Sequence, residues 1–133
     1  SGLSAGNKKL NFIRNAVLTL RKKKSMVIDA DDPNTISCGS FFTNPVLSVS
    51  EFENFKIKTD ALNLITPYYT TSEKDKIKIP AAWLVEQSGF VKGYKTRGAG
   101  ISANHSLAII NLGGKTSDVI LLSEEIIKYL YII

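Results

Sequence analysis

The last third of the chain is broken by glycines. Gly93, Gly98 and Gly100 punctuate the approach to Ile101 and Ser102, and the pair Gly113-Gly114 closes the run Leu107 to Leu112. That run reads as a buried strand, and polar Ala103 to Ser106 before it suits a hairpin turn. Helices flank this region. Pro80 fits a first helical turn and Gly89 a C-terminal stop, enclosing a short, largely apolar segment from Ala81 to Gln87. After Gly113-Gly114 a final helix is expected, with Thr116 or Ser117 as cap and Val119, Leu122, Ile126 and Leu130 on its apolar face. Upstream, Leu10, Ile13, Val17 and Leu20 recur at helical spacing, which predicts an amphipathic helix from Asn7 to about Lys24. Met26, Val27 and Ile28 would suit a strand, Ser50 a cap for a short helix from Glu51, and Thr66 to Lys78 an irregular surface connection. The sum is one α+β domain over residues 1–133, with helices covering one face of a mostly antiparallel sheet.

Composition narrows the function classes. At 133 residues, 44% hydrophobic and 22% charged, the chain can bury a core without staples. Its one cysteine, Cys38, excludes an internal disulfide framework and a cysteine-based zinc site. No apolar run approaches bilayer length and no signal layout opens the chain, so the expected compartment is the cytosol. The net charge of +5 is concentrated in Arg21, Lys22, Lys23 and Lys24 at the end of the first helix, where cations suit the dipole. No zinc-finger spacing, RNP-like strand or basic heptad accompanies them, so a nucleic-acid partner is the weaker reading. A phosphate-bearing small ligand needs only one or two of these cations.

The segment Gly39 to Pro45, Gly-Ser-Phe-Phe-Thr-Asn-Pro, sets a hydroxyl between a glycine and two aromatic rings before a rigid Asn-Pro turn. Phe41 and Phe42 can anchor such a loop in the core. It reads equally as a site centred on Ser40 or as a buried structural turn. The nucleophile-elbow template fails there, because Cys38 and Phe42 stand where it needs glycines. Asp29 to Asn34 carries three aspartates, but Asn34 and Ser40 occupy the positions where a calcium loop needs Gly and Glu. It reads as a solvent loop, and no metal is expected. His105, the sole histidine, could act as a base for Ser40 or Cys38, yet in a polar turn it reads as a surface residue. Gly98, Gly100, Gly113 and Gly114 make no dinucleotide or phosphate-loop fingerprint, and Trp83 reads as a core anchor.

Five blocks in order go beyond these generic readings: Arg21 to Met26, Asp32-Pro33, Gly39 to Pro45, Pro80 to Tyr94, and His105 to Ala108 with Asn111. Together, over about Phe12 to Leu130, they resemble the C-terminal substrate-binding domain of the UDP-N-acetylenolpyruvoylglucosamine reductase (MurB) family. The resemblance implies a cytoplasmic step of peptidoglycan synthesis. In it the enolpyruvyl ether of UDP-N-acetylglucosamine is reduced to UDP-N-acetylmuramate with FAD and NADPH. It implies Ser40 as the proton donor to the carbanion or enolate left by hydride addition. It further implies Lys24 and Asn44 as substrate-binding residues, with Gln87 ligand-facing and Arg21 in register, where a helix-end salt bridge is the equal alternative. Glu86, Lys92 and Tyr94 stay structural or solvent-facing.

Two parts of the family pattern are missing from these residues: the flavin-binding domain, and a catalytic glutamate placed after the last helix. The chain instead reaches Tyr131-Ile132-Ile133. The expectation is a fragment that neither binds FAD tightly nor turns over alone, with an apolar end left uncovered. The alternative is an isolated, non-catalytic module that binds a nucleotide sugar.

Overall fold

A computed structural model describes residues 5–130; the expected uncovered end at Tyr131-Ile132-Ile133 lies outside them. Helix α1 spans Ala5–Lys22 and is followed by a loop with a 3-10 turn at Pro33–Thr35. Strand β1 (Ser37–Ser40) precedes β2 (Val46–Ser48), α2 (Val49–Ala61), β3 (Tyr69–Thr70) and β4 (Lys76–Lys78). Next come α3 (Ala81–Gln87), the strands β5 (Lys95–Thr96), β6 (Ala99–Ile101) and β7 (Ala108–Asn111), and the closing helix α4 (Thr116–Leu130). The strands form two antiparallel sheets, ordered β1-β7-β6-β5 and β2-β4-β3. The fold is α+β as expected, with two sheets where one was read.

The larger sheet carries the core. Ile101 pairs with Ile109 and Ala99 with Asn111, so these four share one face. Ala99, Ile101 and Ile109 pack there with Leu122 and Ile126 of α4 and with Val85 and Phe90. Full burial of Leu122 and Ile126 stabilises the fold by about 1.5–3 kcal/mol each. The 3.6-residue spacing of α4's apolar positions is what turns both residues toward the sheet.

Several local expectations are corrected. Met26 to Ile28 is not a strand, because α1 ends in a turn that wraps its own carbonyls. The Met26 amide donates to Arg21 O (2.9 Å) and the Ser25 amide to Lys22 O (2.9 Å), with Ser25 at φ +53°. This is the Schellman pattern with serine where glycine is usual. Helix α2 starts at Val49, not Glu51, and its cap is Ser48. The Glu51 amide donates to Ser48 Oγ and the Ser48 amide to Glu51 Oε2 (2.8 Å), a reciprocal box that Ser50 cannot form. Pro80 sits at the cap of α3 rather than within its first turn. The stretch read as an irregular connection contains β3 and β4, which pair with each other and, through β4, with β2. The apolar stripe of α1 stays exposed, with Leu10 at 65% and Leu20 at 62%.

Candidate active site

Ser40 owes its position to a bulge. Ser37 pairs with Ile110 and Ser40 with Ala108, so three steps along β1 match two along β7. The extra residue is absorbed at Gly39, whose φ of +85° is readily open only to glycine. Because Ala108 and Ile110 share a face, the bulge brings Ser37 and Ser40 to that same face, where regular alternation would have opposed them. The Phe41 amide then donates to Leu107 O (2.7 Å) and ends the pairing. Ser40 is exposed, so the segment is not a buried turn. Of its two rings only Phe42 packs on the core. Phe41 is exposed and meets Phe42 edge-on at 5.4 Å, which corrects the expectation that both anchor the loop.

Facing Ser40 is the hairpin turn between β6 and β7. His105 Nε2 lies 3.2 Å from Ser40 Oγ, and His105 Nδ1 accepts the Leu107 amide at 3.1 Å. The reading of His105 as a plain surface residue is therefore corrected. Partial burial, then the positive charges of Lys24 and Lys92, hold its pKa below the ordinary histidine value. Ser106, next in the turn, donates to Glu86 Oε1 of α3. Lys24, Ala82, Lys92, Asn104, His105 and Ser106 line a shallow cavity of about 180 Å³.

The aspartate loop is a brace rather than a solvent loop. Buried Ser25 donates to Asp32 Oδ2 (2.6 Å) and accepts from Asn104 Nδ2 (2.9 Å), while the Ala103 amide donates to Asn34 Oδ1 (2.8 Å). The Ser25 bond, then bonds from Asn34, hold the Asp32 carboxyl below its usual pKa. These contacts fasten the end of α1 to the β6–β7 turn, and so place Lys24 beside His105.

Of the residues expected at a site, Ser40 and Lys24 are thus brought together through His105. Asn44 is exposed, and its amide oxygen accepts the Ala81 amide (2.8 Å), satisfying a donor at the start of α3 that has no intrahelical partner. Arg21 lies by a neighbouring cavity of about 220 Å³ with Cys38 and Gly39, and its guanidinium donates to Met26 O (3.3 Å) rather than to a carboxylate. Gln87 is exposed and does not line the Lys24 cavity; Glu86 is the α3 residue that reaches the turn. His105 and Lys92 are the residues the sequence reading set aside. No local signal marks His105, because its approach to Ser40 depends on the pairing of β7 with β1.

The fold and this surface define a small α+β domain that presents an exposed serine hydroxyl to an imidazole flanked by lysines. The chain belongs to the family described as UDP-N-acetylenolpyruvoylglucosamine reductase, C-terminal domain, which matches residues 31–131. Among curated relatives, the UDP-N-acetylenolpyruvoylglucosamine reductase of Thermobifida fusca (strain YX) is 44% identical over 129 residues, 94% of this chain and 36% of the relative. That of Streptomyces coelicolor is 39% identical over 130 residues, covering 95% and 34%. That of Mycolicibacterium gilvum is 44% identical over 117 residues, covering 86% and 32%. The chain spans about a third of the length of the curated relatives it matches. Among the described residues no helix is long and apolar enough to cross a membrane.

Proposed function

We propose that residues 1–133 form the substrate-binding and proton-donating domain of a UDP-N-acetylenolpyruvoylglucosamine reductase acting in the cytoplasm in peptidoglycan synthesis. The relatives are named UDP-N-acetylenolpyruvoylglucosamine reductase, and on this reading the group reduced is the enolpyruvyl ether. Reducing its carbon–carbon double bond requires a hydride at one carbon and a proton at the neighbour beside the carboxylate. The observation that carries the reading is the exposed Ser40 hydroxyl aimed from a bulge into a cationic surface. Ser40 breaks its O–H bond to protonate the carbanion or enolate carbon, and water restores the proton afterwards. Lys24, joined by Lys92, pairs with the substrate's carboxylate or diphosphate. Asn44 offers its amide N–H₂ from an amide whose oxygen is already fixed on α3. Gln87 and Arg21 complete the proposed contact set at the margins.

The hydride half lies outside these residues. The cavity at Lys24 and His105, about 180 Å³, falls short of the roughly 300–1,000 Å³ of ligand pockets. FAD and NADPH belong, on this reading, to the part of the relatives that the chain does not span, and this chain alone neither binds flavin tightly nor turns over. The exposed apolar stripe of α1 supports such a neighbouring body, since burying it would give that helix the core contacts it lacks here. Calorimetry of the chain with the enolpyruvyl ether tests the binding half. Lys24→Ala should weaken binding about tenfold or more, while Ser40→Ala leaves it within about threefold. No detectable heat with the wild-type chain, or equal affinity for Lys24→Ala, contradicts the placement of the substrate here.

A further inference from the structure

We infer that His105 is a positioning residue for Ser40, acting as a hydrogen-bond donor through Nε2 and never as the base that deprotonates it. The inference rests on the proposed proton-donor role of Ser40 and adds a second residue to that step. It follows from the two contacts of one ring. The Leu107 amide carries a hydrogen and points at Nδ1 (3.1 Å), so Nδ1 must offer a lone pair. In a neutral imidazole the proton then sits on Nε2, and Nε2 faces Ser40 Oγ at 3.2 Å. Were the proton on Nδ1, two N–H groups would meet head to head. Burial and the neighbouring Lys24 and Lys92 oppose a second proton on the ring, which keeps this tautomer neutral.

The consequence concerns direction. A serine flanked by a histidine invites the nucleophile reading, in which imidazole takes the hydroxyl proton. Here one lone pair of Ser40 Oγ is occupied by Nε2–H, so the hydroxyl hydrogen is free to turn toward a substrate. When Ser40 protonates the carbon, its O–H bond breaks and an alkoxide remains; the Nε2–H already aimed at that oxygen stabilises it until water supplies a proton. The hairpin turn, with Ala108 N donating to His105 O (3.1 Å) and Ala103 held by Asn34, fixes the ring in that place before any ligand arrives.

Two side chains separate the donor from its scaffold. Asn at 105 sets an amide oxygen where Nδ1 stood and so preserves the Leu107 contact, but it presents nothing to Ser40. Gln reaches the Nε2 position with an N–H₂ donor. In the full-length reductase carrying this domain, His105→Asn should lower kcat about 100-fold with KM nearly unchanged, and His105→Gln should recover to within about tenfold of wild type. Wild-type kcat in His105→Asn, or equal loss in the Asn and Gln variants, overturns the inference. Ser40→Ala is run beside them: if it keeps full turnover, the proton-donor reading itself fails and this inference with it. If Ser40→Ala is crippled while His105→Asn is normal, only the His105 role is lost. Independently of turnover, nitrogen-15 NMR of the chain should find the proton on Nε2 at neutral pH. A proton on Nδ1 refutes the proposal.

Discussion

Replacing Gly39 and Gly98 separately by alanine distinguishes two costs that a glycine can hide. Both hold positive φ, +85° and +80°. At Gly39 an added Cβ meets nothing within 4 Å, so the penalty is torsional, about 1–2 kcal/mol. At Gly98 the same torsional penalty is joined by contact with backbone, because the Cβ would lie 2.7 Å from Gly114 Cα and 2.8 Å from Gly114 N. Relief requires the two segments to part, which strains the bonds that Gly98 O accepts from the Leu112 and Gly114 amides (2.7 and 3.1 Å). At about 1 kcal/mol for each, Gly98→Ala should cost about 3–4 kcal/mol. With roughly 4 °C per kcal/mol for a domain of this size, Tm should fall by about 4–8 °C for Gly39→Ala and about 12–16 °C for Gly98→Ala. Gly39→Asn should fall less than Gly39→Ala, since asparagine tolerates the left-handed region. Urea and thermal unfolding of the chain measure all three. Equal losses at the two glycines, or a neutral Gly39→Ala, would refute the assignment of the bulge to Gly39's backbone.

The pH dependence of stability has two expected sources. His105 titrates below its ordinary 6.5 in the fold, so the unfolded chain binds more protons between the two values; its contribution is full above about pH 6.5 and lost as pH falls through the folded value. In equilibrium unfolding at a series of pH values His105→Gln should flatten that slope, and an unchanged slope contradicts it. Asp32, held below 3.8, contributes in the same sense at lower pH, and Ser25→Ala should bring its acid loss to higher pH. Carboxyl NMR titration of Asp32 reads this directly. In the core, Leu122→Ala should cost about 2–5 kcal/mol, whereas Leu20→Ala on the exposed stripe of α1 should be nearly neutral in this chain. A large effect of Leu20→Ala would mean that α1 is already covered.

What could be read from the sequence depended on how far each interaction reaches along the chain. Helix α4 was legible because Val119, Leu122, Ile126 and Leu130 repeat at its own period, and the β6–β7 hairpin because a polar turn divides two apolar runs. The sheet β2-β4-β3 was not, since strands of two or three residues are too short to show alternation. Met26 to Ile28 looked like a strand because the turn that ends α1 places serine, not glycine, in the left-handed position, and Ser25 is held by its bond to Asp32 seven residues on and by the bond it accepts from Asn104, 79 residues away. The site followed the same rule. Ser40 and Lys24 stood in motifs of contiguous residues, whereas His105 acquires its meaning from a partner 65 positions away.

The central claim is that Ser40 supplies the proton in an enolpyruvyl reduction. It is tested most directly in the full-length reductase by the rate of substrate reduction in Ser40→Ala, with substrate affinity measured on the same preparation. A loss of about 10²–10⁴-fold in turnover at nearly unchanged affinity is the expected result. Turnover within a few-fold of wild type would contradict the claim.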